Sequence, residues 1–261
     1  SHSEASAGEV PRNLRVVLEN TQPLKYERRD RLPLFVLPIS NSLTSLDDAE
    51  AEQLLQELDS RGIGYTVDWH PSRFEDSLAE ALRIGRLQTK LGLEVCVNAN
   101  SCLYSFFDGS PETLHVDSAG ETFAETSFGG ELGCPFALEH RWPVIKERVE
   151  QFLRGYQEAG IAIDFIFADW EIDGPIEWND AWATCKRCER CREQIPDIDD
   201  FRKFQQQLRE IRSNIQREAF GEHVRNSFPA ALVGNYGVYP HNGYRYWYDY
   251  FERETPEAPY L

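Results

Sequence analysis

The sequence lacks the features that mark several classes of protein. No apolar run approaches the roughly 20 residues that a membrane-spanning helix needs, so no segment is predicted to cross a bilayer. Basic residues are scarce, with 27 Lys and Arg against 44 Asp and Glu, and the formal net charge is −17. A chain this acidic offers no basic face for DNA, RNA or anionic lipids. We therefore expect neither nucleic acid nor a membrane among its partners.

Signals of targeting and of histidine-based metal binding are also missing. Residues 1–13 are predicted to be a disordered leader or tag remnant, and they carry no signal-peptide pattern. The six histidines show no His-X-X-X-His spacing, so a metal site built on histidine is not predicted. Six cysteines fit both an oxidised extracytoplasmic protein and a zinc-bearing cytosolic one. Of these locations, a secreted or periplasmic one is slightly favoured.

What the sequence does contain is a repeated strand-then-helix rhythm, which is typical of βα units. A first short strand is predicted at 14–18. Strands of a sheet are then predicted at 34–39, 64–69, 93–98, 161–170 and 231–236. Helices are predicted at about 46–60, 77–91, 140–158 and 199–217. The apolar residues of the first of these helices, Leu54, Leu55 and Leu58, recur at helical spacing.

This rhythm predicts an α/β fold, a TIM-type (β/α) barrel over residues 14–261 with five of eight strands recognised. Long insertions follow strand 3, at about 101–138 with a hairpin at 115–121, and strand 4, as a cysteine-containing loop at 174–198. A full barrel takes about 250 residues. Only 25 residues follow Tyr236, whereas each βα unit needs about 30. We therefore expect a partial barrel, and the alternative is an open sheet with fewer strands.

Polar and aromatic residues stand at the carboxyl ends of the predicted strands. Asp68, Trp69 and His70 end the second strand, and Asn98 ends the third. Barrel enzymes carry their working residues at this end. These four side chains are therefore candidates for substrate binding.

The fourth strand ends in two acids, Asp169 and Glu171, separated by Trp170. Side chains alternate along a strand, so the two acids share a face with Cα atoms about 6.5–7 Å apart. Acids this close raise each other's proton affinity, which favours a protonated Glu171 as general acid for a glycosidic oxygen. The alternative is a solvated acidic pair at the start of a loop. The strand position favours the catalytic interpretation.

The same stretch resembles two families of glycoside hydrolases. Family 18 chitinases carry Asp-X-X-Asp-X-Asp-X-Glu at the end of barrel strand 4. Asp164, Asp169 and Glu171 match three of those positions, while Phe167 replaces the remaining acid. The resemblance implies that Glu171 is the acid/base. It also implies that Asp169 orients a substrate 2-acetamido group, which attacks the anomeric carbon.

Hyaluronidases of family 56 are similar in two places. They carry Asp-Trp-Glu followed by Trp-rich sequence, and Gly-X-Tyr-Gly-X-aromatic-Pro at strand 5, which residues 234–240 match. The resemblance implies that Tyr236 hydrogen-bonds the acetamido group, while His241 stands where those enzymes usually have an acid. Tyr236 and Tyr239 are also candidates for substrate binding because flat amphipathic rings stack on sugars.

Cys185, Cys188 and Cys191 form a Cys-X-X-Cys-X-X-Cys pattern. It matches three ligands of a bacterial iron–sulfur motif, but Ile195 stands where the fourth cysteine would be. A structural zinc with a fourth ligand from elsewhere is preferred to a cluster. The alternative is incidental thiols, or a disulfide with Cys102 or Cys134.

The sequence as a whole predicts a glycoside hydrolase that cleaves a poly- or oligosaccharide with retention. No cofactor is expected for catalysis. Two alternatives stay open: a carbohydrate-binding barrel without activity, and a metal-binding protein that uses the cysteine loop.

Overall fold

A computed structural model describes residues 9–33, 35–38, 43–103, 110–126, 131, 133–169 and 179–236. Its helices are α1 (Arg12–Asn20), α2 (Asp48–Ser60), α3 (Phe74–Leu91), α4 (Asn100–Leu103), α5 (Leu138–Glu158), α6 (Asn179–Arg187), α7 (Glu189–Gln194), α8 (Phe201–Ile215) and α9 (Glu222–Ser227). A π-helical segment, Gln216–Gly221, joins the last two. Within these residues, no helix combines the length and apolar character that a membrane crossing requires.

The strands are β1 (Phe35–Pro38), β2 (Ile63–Asp68), β3 (Cys96–Asn98), β4 (His115–Val116), β5 (Thr122–Phe123), β6 (Phe165–Asp169) and β7 (Leu232–Tyr236). Five of them form one sheet in the order β1-β2-β3-β6-β7, and β4 pairs with β5 in a second sheet. The pairs β1–β2, β2–β3 and β3–β6 are parallel. The mixed α/β class with a parallel sheet is therefore confirmed.

The predicted strand–helix rhythm is confirmed for the five sheet strands and for the hairpin at 115–121. One strand prediction is wrong, because residues 14–18 belong to helix α1, which begins inside the predicted leader. Leu14, Val17 and Leu18 are at least partly buried whereas Val16 is 47% exposed. This i, i+3, i+4 spacing is helical, and a five-residue apolar run concealed it. The segment predicted as a cysteine loop also contains two helices, α6 and α7, between residues 179 and 194.

Local signals in the sequence fix the ends of two helices in the βα units. Asp47 caps α2, its side chain accepting the N–H of Glu50 while the Glu50 side chain accepts the N–H of Asp47. This capping box satisfies N–H groups that have no partner within the helix. Gly92 ends α3 in the left-handed conformation, with φ of 67°, which glycine adopts without steric cost.

The chain divides into two compact units. The first comprises residues 1–101, 152–167 and 230–232. In its core the indole of Trp69 stacks on Phe152 with ring centroids 4.7 Å apart. The buried guanidinium of Arg28 binds two carboxylates, those of Asp59 at 2.6 Å and Glu94 at 2.7 Å. This unit is thus held together by apolar packing and a buried ion-pair network.

The second unit comprises residues 102–151, 168–229 and 233–261. Its hydrophobic cluster differs in composition, since four of its eight buried members are cysteines. Trp182 packs against this cluster and its Nε1–H donates to the carbonyl of Ile198 at 2.7 Å. One buried cluster of this unit is therefore rich in thiols.

Candidate functional site

Two of the predicted substrate-binding residues end neighbouring strands of the parallel sheet. Asp68 is the last residue of β2, and its Cα partner is Asn98, the last residue of β3. The side chain of Asn98 accepts the backbone N–H of Asn100 at 3.0 Å, where α4 begins. The structure thus brings Asp68 and Asn98 together, and Asn98 also stabilises the turn after its strand.

The next two residues after Asp68 have structural contacts: Trp69 packs in the core, and His70 stabilises the turn before α3. Trp69 is fully buried beneath Phe152 and Tyr156. That placement gives it a packing role and offers no ring face to a sugar, contrary to the expectation from its strand-end position. The backbone N–H of His70 donates to Ser77 Oγ at 2.9 Å, which anchors the start of α3, and the His70 side chain is half-buried.

The predicted catalytic strand ends where the sequence places it. Asp169 is the last residue of β6 and Tyr236 is the last residue of β7. Glu171 and Tyr239 lie outside the described residues. The prediction that polar residues end these strands is therefore confirmed for Asp169 and Tyr236, and the roles of all four residues stay predictions.

Two residues of the chitinase-like motif have structural roles. Asp164 Oδ2 accepts the N–H of Val95 at 2.8 Å, and the Asp164 carbonyl accepts the N–H of Leu232 at 2.8 Å. Phe167 is buried and stacks on Phe165 with centroids 5.6 Å apart. Hydrogen bonds of Asp164 therefore connect the residue before β3 to the first residue of β7. Phe167 packs in the apolar interior beside Phe165.

A compact group of metal-ligand side chains lies in the second unit. The ligand atoms of His115, Cys134, Cys188 and Cys191 all lie within 4.8 Å of one another, and all four residues are buried. Cys134 Sγ is 3.8 Å from Cys188 Sγ and 3.6 Å from Cys191 Sγ. His115 Nδ1 is 3.8 Å from Cys191 Sγ. These four residues, the Cys/His cluster, could hold a metal ion.

Hydrogen bonds to the backbone hold the segments that carry this cluster. The N–H of Cys134 donates to the carbonyl of Thr113 at 2.6 Å, which joins the Cys134 turn to the segment before β4. Arg190 Nη1 donates to the carbonyl of Leu114 at 3.0 Å, which joins α7 to the same segment. The His115 ring stacks on Phe123 of β5, with centroids 5.2 Å apart. The cluster thus has a scaffold made of three chain segments.

The electrostatics of the cluster favour a cation at its centre. Hydrogen bonds from the thiols of Cys134 and Cys191 lower the pKa of Cys188 far below its usual value. Burial raises the pKa of Cys134 and of Cys191. A bound metal ion would stabilise all three cysteines as thiolates, because a coordinating thiol is deprotonated.

The remaining cysteines are not members of the Cys/His cluster. Cys185, in the last turn of α6, is buried and hydrogen-bonds with Cys191. Cys96 and Cys102 are buried elsewhere, and burial raises the pKa of each to about 12. No disulfide joins any of the six cysteines. The predicted metal set is thus modified: Cys188 and Cys191 are in the group, and Cys185 lies beside it.

Sequence reasoning missed His115 and Cys134 as candidate ligands. Each lies more than 50 residues before Cys188, so no ligand spacing connects them to the Cys-X-X-Cys pair. The available signal was weaker: a preference for zinc requires a fourth ligand, and only a few cysteines and histidines could supply it.

A cavity of about 710 Å³ lies next to the cluster in the same unit. Arg190 and Glu193 of α7 line it, as does Phe136, whose N–H donates to Cys134 Sγ at 3.4 Å. This volume is within the range of about 300–1,000 Å³ that is usual for ligand sites. The elements that carry Cys134 and Cys191 therefore also form a wall of the cavity.

No known family model matches the chain, and no curated protein matches it significantly.

Proposed function

We propose that this protein is a glycoside hydrolase on a (β/α) barrel, with Asp169 and Glu171 as the catalytic pair. One observation carries the proposal: β2, β3, β6 and β7 are neighbours in the sheet and end on Asp68, Asn98, Asp169 and Tyr236. All four residues are candidates from sequence alone. Working residues at the carboxyl ends of successive strands are the usual arrangement in barrel enzymes.

The order of the strands supports a barrel over a doubly wound sheet. Apart from the β4–β5 hairpin, each strand of the described sheet lies beside the strand that precedes it in sequence. A doubly wound sheet reverses this order at a switch point, whereas a barrel keeps it throughout. The five strands β1, β2, β3, β6 and β7 would then be the first five of the barrel.

In the proposed reaction, Glu171 donates a proton to the glycosidic oxygen as the bond to the leaving sugar breaks. The same residue then accepts a proton from water. Asp169 orients a 2-acetamido group, whose oxygen first attacks the anomeric carbon as the leaving sugar departs. The water then attacks that carbon and displaces the acetamido oxygen, so the configuration is retained overall. Tyr236 donates a hydrogen bond to that group. Phe167 is apolar, so the second acid of the chitinase motif has no counterpart at this position.

The Cys/His cluster has a structural role in this proposal, and zinc is the expected ion. It joins chain segments of the second unit, and hydrolysis by two carboxylates requires no metal. A second candidate function, metal binding as the main activity, is favoured only by the cluster itself. Removal of the metal by a chelator distinguishes the two functions. Folded protein that loses its metal should still cleave sugar at its initial rate if the metal is structural.

The test is hydrolysis of a panel of N-acetylated oligosaccharides from chitin and hyaluronan, together with xylan and cellulose oligosaccharides. The readout is release of reducing ends. Glu171→Gln should lower kcat by about 10²–10⁴-fold, the usual contribution of general acid catalysis. Asp169→Asn should also be slow and should shift the acid limb of the pH–rate profile.

Matched controls make the same changes of charge at exposed positions of α3. Glu75→Gln and Asp76→Asn should leave hydrolysis unchanged, since both side chains are exposed. If wild-type protein binds an oligosaccharide without cleaving it, the binding-barrel alternative replaces this proposal. Near wild-type turnover by Glu171→Gln would contradict the catalytic assignment.

A further inference from the structure

Two sulfur–sulfur distances within the Cys/His cluster are close to those of a tetrahedral metal site. Zinc–sulfur bonds of about 2.3 Å at the tetrahedral angle place two sulfurs about 3.8 Å apart. The sulfur of Cys134 lies 3.8 Å from that of Cys188 and 3.6 Å from that of Cys191. A disulfide requires about 2.05 Å. These side chains are therefore spaced for an ion between them rather than for a bond to one another.

The chemistry of the donors selects the ion. Three thiolates and one imidazole are a common ligand set for structural zinc. Calcium and magnesium require oxygen ligands, and the cluster contains none. Iron–sulfur clusters usually take four thiolates, and the imidazole of His115 occupies the fourth position here. The Nδ1 atom of His115 lies 3.8 Å from Cys191 Sγ, so Nδ1 is the nitrogen placed to complete the ligand set.

Burial makes an empty site costly. All four residues of the cluster are buried, and each is 0% exposed. Several deprotonated thiols in an apolar surrounding would be unstable without a cation. The same burial slows exchange of a bound ion with solvent, as expected of a closed structural site.

We propose that His115, Cys134, Cys188 and Cys191 bind one zinc ion tetrahedrally and that Cys185 is not a ligand. Cys185 contacts Cys191 but does not belong to the group whose ligand atoms all lie within 4.8 Å of one another. It is a supporting residue that packs against a ligand. The proposal is independent of the hydrolase proposal, because its measurements involve no sugar.

The test is the metal content of the full chain, purified without a metal-affinity step and measured by inductively coupled plasma mass spectrometry. Wild-type protein should contain about one zinc and no iron per chain. His115→Ala, Cys134→Ser and Cys191→Ser should each lose the zinc. Cys185→Ser should keep it, with an affinity lowered by at most about 10–100-fold, the range for residues that support a ligand. Cys102→Ser, at a buried cysteine of the same unit, is the matched control.

If a variant fails to fold, a second set of measurements still tests the site: cobalt substitution in the wild-type chain and zinc recovery in His115→Cys. Cobalt(II) replaces zinc in the wild-type chain, and tetrahedral thiolate coordination then gives strong visible absorption. His115→Cys should regain the zinc that His115→Ala loses, because a set of four thiolates also binds zinc. Loss of zinc from Cys185→Ser with retention in His115→Ala would overturn the ligand set. An iron–sulfur spectrum, or no zinc uptake by the reduced wild-type chain, would overturn the zinc site.

Discussion

The two units of the chain depend on different interactions. In the first, Trp69, Phe152 and Tyr156 pack in an apolar core, and Arg28 is paired with two carboxylates. These contacts are all made within the polypeptide itself. In the second, half of the residues in one buried cluster are cysteines, and for three of them, Cys134, Cys188 and Cys191, the strongest interaction available is with a metal ion.

This difference means that stability need not be shared evenly along the chain. Apolar burial is present as soon as the first unit folds. The Cys/His cluster stabilises the second unit only while its ion is bound, since binding to the folded state alone is what stabilises. Metal removal should therefore affect one unit much more than the other.

Metal removal is the largest expected effect. Zinc at about 1,000 times its Kd stabilises a folded state by about 4 kcal/mol, and structural sites often bind more tightly. Chelation should lower hydrogen-exchange protection in residues 110–126 and 179–200, which carry ligands and their supports. Protection in α2 and α3 should change little. Hydrogen exchange with mass spectrometry measures both regions in one experiment.

Added zinc provides the control for that experiment. It should restore protection in residues 110–126 and 179–200, whereas magnesium should not, because magnesium prefers oxygen ligands. Equal loss of protection in both units, or no loss in either, would contradict the prediction that the second unit depends on the metal much more than the first.

Trp69→Ala is the corresponding disruption of the first unit. Replacing a fully buried aromatic residue by alanine costs about 3–5 kcal/mol, and Trp69 also loses its stacking on Phe152. Chemical denaturation should show this loss in the zinc-bound protein. Tyr26→Ala, at a ring that is 72% exposed, is the control and should change stability by no more than about 0.5 kcal/mol.

Trp69→Phe sharpens the result. It should keep most of the stability and leave KM for an oligosaccharide unchanged, because the ring is buried. A large rise in KM with unchanged stability would instead indicate that Trp69 contacts the substrate.

Sequence reasoning succeeded where the determining pattern is local. Strands β2 and β6 and helices α2 and α3 follow from short apolar runs and helical spacing, with Asp47 and Gly92 marking helix ends. Helix α1 was predicted as a strand because Leu14 to Leu18 is too short a run to distinguish the two periods. Position at a strand end did not reveal that Trp69 points into the core, since burial depends on α5, which comes about 70 residues later.

The candidate sites divide in the same way. The strand-end positions of Asp68, Asn98 and Asp169 were predictable because each directly follows an apolar residue of its own strand. Cys188 and Cys191 were predictable because a ligand pair at short spacing is a local signal. His115 and Cys134 join them only through the fold, so one sequence could not assign them. Cys185 fits the spacing, but the turn between α6 and α7 places it beside the cluster.

The smallest expected effect concerns Asp164, which matches a position of the chitinase motif and makes structural contacts here. Its carboxylate accepts the N–H of Val95 at 2.8 Å. Asp164→Ala leaves that N–H without its partner, at a cost of about 1 kcal/mol. Asp164→Asn keeps an acceptor oxygen, so denaturation should show a smaller loss. Hydrolysis by either variant should stay within about twofold of wild type, since no interaction with the transition state is removed. A fall of about 100-fold or more in Asp164→Asn, with stability intact, would instead indicate a catalytic contribution of the size usual for acid–base groups.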